Sequence, residues 1–457
     1  MPKKNSKNLA QELSRYSSHL KYSHISKKAI HQAKVRLIDS LGCALSAIRA
    51  KPATIVKKTI DKTSLDKSGA TLIGTAQKVF PPLAAFYNGT LIRYWDYNDT
   101  YLSKEPAHPS DNIAALLSVA EISKASGKDL ITAIVLSYEI QCGLCDAQSL
   151  RTKGWDHVSY GNFSASLGAG KLMKLSTAQL QHALSLSAVA NMALRQTRVG
   201  EISYWKASAF AHVSSQAVFS CLLAQSGFTG PNPIVEGEKG VEKIVSGPLN
   251  VKLKNRDYKI LNTYIKNYPV EYHSQAAVEA ALILKSEINK KEKIKRIEIK
   301  TYDVALEIIV KDPQKWKPKE RETADHSLPF VVARSLLDGK MTLKQYSDKK
   351  IKDLQVLKLM KKIKISEDKK MTRDYPNKLT CQIKIWLEGN KKPIQHSVSY
   401  PKGHFKNPMS DIEVENKFRE LTKFVLPTRK QNKVLDLLWN IEKIKNFDQL
   451  FNLLRIG

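Results

Sequence analysis

The sequence is poor in the residues that mark several large classes of protein. Its 457 residues include five cysteines (Cys43, Cys142, Cys145, Cys221 and Cys381), an odd set without disulfide-framework spacing, which points to a reducing compartment. Cys142 and Cys145 form CGLC inside a helical pattern with no second pair nearby, so they read as small core residues rather than a zinc or redox pair. Among eleven histidines there is no HExxH, no HxH and no Cys/His cluster, and the chain has neither GxGxxG nor a GKS/T loop. Dedicated metal and nucleotide chemistry therefore lack their usual carriers, and no metal or other cofactor is expected. No cysteine triad is spaced to hold an iron–sulfur cluster. No apolar run approaches the roughly 18 residues of a membrane span, and the start MPKKNSKNLAQELSRY lacks the apolar centre of a signal peptide. A cytoplasmic protein with no membrane partner is the expectation.

Acidic side chains are also scarce, 43 against 74 basic ones, for a net charge of +31. The excess is spread along the chain, and runs such as KKEKIKR at 290–296 are lysine-dominated with glutamate interspersed. A nucleic-acid binder concentrates its charge in a stripe with readable motifs, so solvated lysine-rich faces are the plainer reading and no nucleic acid is expected. A small polyanionic substrate suits the same field.

What is present is helical periodicity. ISKKAIHQAKVRLIDSLGCALSAI places Ile30, Ala33, Leu37, Leu41 and Leu45 three and four residues apart, one buried face of a helix. DNIAALLSVAEISKASG reads as a helix with Ser110 or Asp111 as N-cap and Gly127 past its end. KDLITAIVLSYEIQCGLCDA, STAQLQHALSLSAVANMAL and SAFAHVSSQAVFSCLLAQSG continue the series, several too apolar all round to lie on a surface. Near Pro269 the pattern changes. KIKRIEIKTY alternates, as does LTCQIKIWLEGN before a Gly389-Asn390 turn into KPIQHSVSYP, which suggests a β-hairpin. HSLPFVVARSLLDG and LKQYSDKKIKDLQVLKLMKK read as helices, and beyond Pro408 the chain is helical again. The expected fold is mainly α: a large all-helical domain, 1–267 and 403–457, with a smaller α+β lid domain, 268–402, inserted.

Four segments place polar groups where a core pattern would put apolar ones. Residues 88–112 hold Asp96, Asp99, Thr100 and His108 just before a helix start, whose free N–H groups suit an anion, although turn or capping roles would explain the aspartates. In 154–171, His157 precedes a run of Ser, Gly and Ala that marks a central helix; acid–base work near neutral pH and a hydrogen-bonded core histidine both remain open. Residues 194–212 carry Arg195, Arg198 and Lys206, cations able to hold carboxylates, unless Lys206 merely snorkels from a helix end. The fourth, 267–277, carries Glu271, His273 and Gln275 at the domain junction, where capping residues of the next helix are the alternative.

Taken in order, NGTLIRYWDYNDTYLSKEPAHPSDN, GWDHVSYGNF, TRVGEISYWKASAFAH, YPVEYHSQAAVEAAL and RETADHSLPFVVARSLLDG resemble the MmgE/PrpD family over about residues 25–425. Within it they are most similar to the iron-independent dehydratases of 2-methylcitrate; cis-aconitate decarboxylase is another member. The resemblance implies a helical domain with an inserted lid, a homodimer, no cofactor and a site between the two domains. By position in the motifs, Asp96, Thr100, His108, His157 and Lys206 match residues lining the family's site, and His273 and Gln275 fall in the lid-edge segment. Phe330 stands where relatives commonly carry a tyrosine, so a phenol donor is lost there. The implied activity is dehydration of a tricarboxylate, with His108 and His157 as base and acid in an order the sequence leaves open. Lys206 and Arg198 would hold carboxylates, and Asp96 would orient a histidine or the hydroxyl. A decarboxylase, or a basic nucleic-acid-binding or scaffold protein, is the alternative.

Overall fold

The structure, a computed structural model, describes residues 8–63, 65–289 and 292–456. The first seven residues, and the first two of the 290–296 lysine run, lie outside the described residues. The chain separates into two compact units. One comprises the chain up to Gly200, Tyr204–Thr263 and everything from Ser410 onward; the other comprises Glu201–Ser203 and Tyr264–Met409.

The first unit is helical apart from a short hairpin of β1 (Ala70–Thr71) and β2 (Lys78–Val79). Its centre is the helix Gly161–Leu172, in which every residue but Lys171 is buried. Small residues make this possible: a Cβ on Gly168 would stand 2.2 Å from Ser137 Oγ on the helix Gly127–Ala147. On Pro81–Tyr94, a Cβ on Gly89 would meet the Ala211 Cβ at 2.8 Å, so glycine sets how closely this helix approaches Trp205–Gln225. The last helices return to this unit. Asp411–Thr422 packs on Lys27–Ser46 through buried Val414, Phe418 and Leu421.

Two expectations about this unit need correction. Ser110 and Asp111 are not N-caps; they lie in a 3₁₀ turn, Pro109–Asn112, that Pro109 starts and that runs directly into Ile113–Ile122. Gly127 lies past the end of Ile113–Ile122, as expected, and is also the first residue of Gly127–Ala147, capped by Ser126 and Asp129 in a reciprocal box. The expectation that no segment is long and apolar enough to span a membrane also fails on length. Gly127–Ala147 and Trp205–Gln225 each run 21 residues at a mean hydropathy of 1.3 in the most apolar window, yet those windows are 94% and 72% buried inside the protein. They are core helices by the surface that covers them.

The second unit holds a four-stranded sheet in the order β4-β3-β5-β6, with β3 Ile294–Thr301, β4 Ile363–Glu367, β5 Cys381–Leu387 and β6 Ile394–Val398. The anticipated hairpin is β5–β6, its turn carrying Gly389 at φ 86°. Along β5 the residues Cys381, Ile383, Ile385 and Leu387 are buried in strict alternation, and Ile383 and Ile385 pair with Ile299 and Ile297 of β3. The edge strand β4, parallel to β3, follows directly on the expected 343–362 helix and was not anticipated. The long helix expected over 343–362 is in fact three short turns. Ser347 and Asp353 break it, both in extended conformation, and the Asp353 side chain accepts from the Gln355 N–H to start the last turn, Leu354–Met360. The helices Gln275–Glu287 and Leu328–Asp338 pack together, the former also against β5 and β6.

Candidate active site in the helical unit

The helix Pro81–Tyr94 ends in Arg93, a lone cation in an apolar helix, and the chain then turns sharply: Asp96 has φ 49°, a left-handed conformation that aspartate tolerates better than most residues. Asp96 is held between two buried cations, with Arg93 Nη1 donating to Oδ1 at 2.5 Å and Lys206 Nζ 3.2 Å from Oδ2. Lys206 lies in the first turn of Trp205–Gln225, where the helix dipole disfavours a positive charge, and the Asp96 carboxylate offsets that cost. Lys206 therefore does not snorkel to solvent.

Arg93 also approaches Asp111, Nε to Oδ2 3.7 Å, and Asn98 Nδ2 donates to Asp111 Oδ1 at 2.7 Å. Burial pushes the Asp111 carboxyl up to about 7, against the opposing pull of Arg93. Asp111 thus carries a proton part of the time near neutrality. Asp99 has a different place. Its Oδ1 accepts the Ser110 N–H at 2.9 Å, closing the loop, and burial raises its carboxyl despite Arg36.

The same loop closure fixes His108. Its Nδ1 is 2.7 Å from the Asp99 carbonyl oxygen and 3.3 Å from Thr100 Oγ1; a carbonyl only accepts, which assigns the ring proton to Nδ1 and leaves the lone pair on Nε2. His157 begins a 3₁₀ turn, His157–Tyr160, with Asp156 as N-cap. Its Nδ1 stands 3.1 Å from Asp156 Oδ1, while Asp156 Oδ2 accepts from Arg198 Nε at 2.9 Å. The His157 Nε2 is buried with no hydrogen-bond partner. Burial depresses this imidazole to about 3; Asp156 works against the shift, and Arg198, Arg93 and Arg195 add to it. His157 is consequently neutral at pH 7. Burial pushes the Asp156 carboxyl up, but the Arg198 guanidinium and the Val158 N–H outweigh it and hold Asp156 below the ordinary carboxylate range. The rings of His108 and His157 are 5.7 Å apart, centroid to centroid.

The helical unit thus brings together six residues singled out from sequence: Asp96, Thr100, His108, His157, Arg198 and Lys206. Three that the sequence reading did not single out belong to the cluster: Arg93, Asp111 and Asp156. Asp96 is already committed to two cations.

His273 and Gln275 lie in the α+β unit. His273 is buried, with Nδ1 2.6 Å from the Tyr302 hydroxyl and its backbone N–H donating to Glu271 Oε2 at 2.8 Å. Gln275 Nε2 donates to the carbonyls of Tyr268 (2.7 Å) and Val270 (3.3 Å), and its Oε1 accepts the Tyr268 N–H at 3.1 Å. That amide stitches 268–270 onto the next helix. Phe330 is buried and stacks on Tyr346 at 6.2 Å.

Two imidazoles, one of them neutral and unpartnered at Nε2, lie among carboxylates fixed by arginine and lysine, an arrangement of proton-exchanging groups that marks a candidate site. Comparison with known proteins gives the family. The family model described as the MmgE/PrpD N-terminal domain matches residues 11–254, and that of the C-terminal domain matches 268–443. The chain belongs to the MmgE/PrpD family. It is 29% identical over 455 residues to 2-methylcitrate dehydratase of Escherichia coli K12, covering 92% of this chain and 91% of that protein. It is also 29% identical over 407 residues to the mitochondrial 2-methylcitrate dehydratase of Yarrowia lipolytica, covering 84% and 78%. A fungal alkylcitrate dehydratase is 28% identical over 440 residues, covering 89% and 86%. The chain is a lyase of the hydro-lyase kind.

Proposed function

We propose that this chain dehydrates 2-methylcitrate, or a closely similar tricarboxylate, to the corresponding 2-methyl-cis-aconitate-like alkene, without a cofactor, as a cytoplasmic homodimer with no nucleic-acid or membrane partner. The observation that carries the reading is the buried, neutral His157 whose Nε2 has no partner, 5.7 Å ring to ring from His108, in a chain whose relatives are named dehydratases of alkylated citrates.

Dehydration removes a proton from carbon beside a carboxylate and expels hydroxide from the next carbon. The base must act on a very weak acid, and the leaving oxygen needs a proton. We assign the base to His157. Asp156 fixes its Nδ1–H tautomer, so Nε2 faces the work. A free imidazole depressed to about 3 is a feeble base, but the depression comes partly from Arg198, Arg93 and Arg195. A tricarboxylate binding among those cations adds negative charge, which raises the imidazole toward neutrality when the substrate is present. His108, whose Nδ1–H the Asp99 carbonyl holds, must first take up a proton at Nε2 and enter the step as the imidazolium, which delivers that proton to the leaving hydroxyl, and Asp111, near 7, supplies a second proton store. Lys206 and Arg198 hold substrate carboxylates and stabilise the charge that builds on the one beside the reacting carbon. Asp96 orients Lys206, and Thr100 sets His108. His273 and Gln275 are proposed as substrate-binding residues of the α+β unit.

The test is an ultraviolet assay for the new conjugated double bond with 2-methylcitrate, citrate and cis-aconitate in parallel. Absorbance rising on 2-methylcitrate supports the reading. Carbon dioxide released from cis-aconitate, with no alkene formed from 2-methylcitrate, would make the chain a decarboxylase instead. No turnover of any of the three, with salt-sensitive retention on DNA, would favour the basic binding protein.

A further inference from the structure

We propose that Lys417, on the C-terminal helix Asp411–Thr422, is a positioning residue for the loop that carries Asp96, Asn98 and Thr100. Its Nζ stands 2.6 Å from Asp39 Oδ1, donates to the Tyr97 carbonyl at 2.8 Å, and lies 3.7 Å from the centroid of the Tyr97 ring. An ammonium has three N–H donors, and a carboxylate, a carbonyl and an aromatic face are among its partners here. Two of the three belong to one residue. Lys417 and Asp39 are both buried, their side chains 5% and 1% exposed, so the contacts are made away from competing water.

The residue so gripped is the one between Asp96 and Asn98. Asp96 sits at φ 49° between Arg93 and Lys206, and Asn98 bridges Ser110 Oγ (2.8 Å) and Asp111. A left-handed non-glycine residue persists where its surroundings over-determine it. On one side that determination comes from the Arg93 and Lys206 pairs; on the other it comes from a lysine 320 residues further along the chain. Asp39, from the helix Lys27–Ser46, holds the ammonium in place and neutralises it. A hydrophobic residue at 417 would fill the space, but it would fix neither the carbonyl nor the ring of Tyr97. The segment after the α+β unit thereby sets the geometry of a loop in the N-terminal half.

This inference rests on the hydro-lyase reading for its activity readout, and the experiment separates the two. Lys417→Met alone leaves the Asp39 carboxylate buried without the Lys417 ammonium, so loss of folding would mask any other effect. The informative protein is Lys417→Met with Asp39→Leu, which removes both charges. Expected is a Tm restored toward wild type, with kcat on 2-methylcitrate still about 10- to 100-fold down and KM changed by less than about threefold. Tyr97→Leu, which keeps the ion pair and removes the ring, should lower kcat less, at an unchanged Tm. Wild-type kcat in both proteins would overturn the proposal and leave Lys417 a structural residue. Should the wild type turn over none of the substrates, the hydro-lyase reading falls. Amide hydrogen exchange at 96–100 then decides: faster exchange in the double variant at equal Tm supports positioning, and unchanged exchange overturns it.

Discussion

Each unit buries a histidine near the start of a helix, and the two are treated differently. His273 gives Nδ1 to Tyr302, takes its backbone N–H to Glu271, and lies against the ring of Tyr375. His157 has a carboxylate at Nδ1 and nothing at Nε2. Burying a polar atom without a partner costs about 1 to 3 kcal/mol, so the Nε2 left orphaned beside a second imidazole and several cations calls for an explanation. The contrast teaches that burial of a histidine says little until its partners are counted.

Removing the two kinds of histidine should break the comparison open. We expect His157→Ala and His108→Ala to lower kcat at least about a hundredfold, the usual scale for losing a general base or acid. His273→Ala should chiefly lower Tm and raise KM, with kcat down by less than about tenfold. Equal kcat losses at 157 and 273 would erase the distinction. Next in size, Lys206→Ala should raise KM more than Lys206→Arg does, because the arginine keeps a cation beside Asp96 while changing its shape. Steady-state kinetics on these five variants reads both.

Stability against pH sharpens the contrast further. The folded His157 is depressed from 6.5 to about 3, so its contribution is present above pH 6.5 and is lost as pH falls and the unfolded chain takes up the proton first. Asp111, raised from 3.8 to about 7, has the opposite sign: stability falls as pH rises from 3.8 toward 7, since the folded state keeps a proton the unfolded state has released. Between these limits the two oppose each other in the wild type. In His157→Gln the His157 loss is gone while those of His404, depressed to about 4, and His212 remain, so Tm should fall less than in the wild type as pH drops from 7 to about 4. The smallest expected change is none: EDTA should leave turnover intact, and activity lost to EDTA and regained with iron or magnesium would refute the cofactor-free reading.

Much of the mainly α architecture was legible because helical periodicity survives wherever a helix has one buried face, as in 25–48, and because β5 alternates cleanly before Gly389. Boundaries were less so. Gly127 reads as a stop from composition, whereas its neighbour Ser126 caps the next helix, and β4 hides at a sheet edge where alternate residues are exposed. In the site, Lys206 stood out as a lone cation in an apolar helix. Arg93 gives the same signal in PPLAAFYNGTLIRY and was passed over. Asp156 adjoins His157 in the sequence, but adjacency says nothing of whether two side chains face each other; only the turn at 157–160 brings Oδ1 to 3.1 Å. Asp111 looked like a cap, and its pairing with Arg93 and Asn98 is a long-range fact that no local pattern carries.

The most direct test is an NMR pH titration of the His157 ring, with and without saturating citrate or 2-methylcitrate. In the free protein the ring should stay neutral with an Nδ1–H tautomer from pH 7 down to below about 4, and the ligand should move its titration to higher pH as the cations around it are neutralised. A His157 that titrates near 6.5 in the free protein, unmoved by the ligand, would contradict its assignment as a cation-depressed base that the substrate activates.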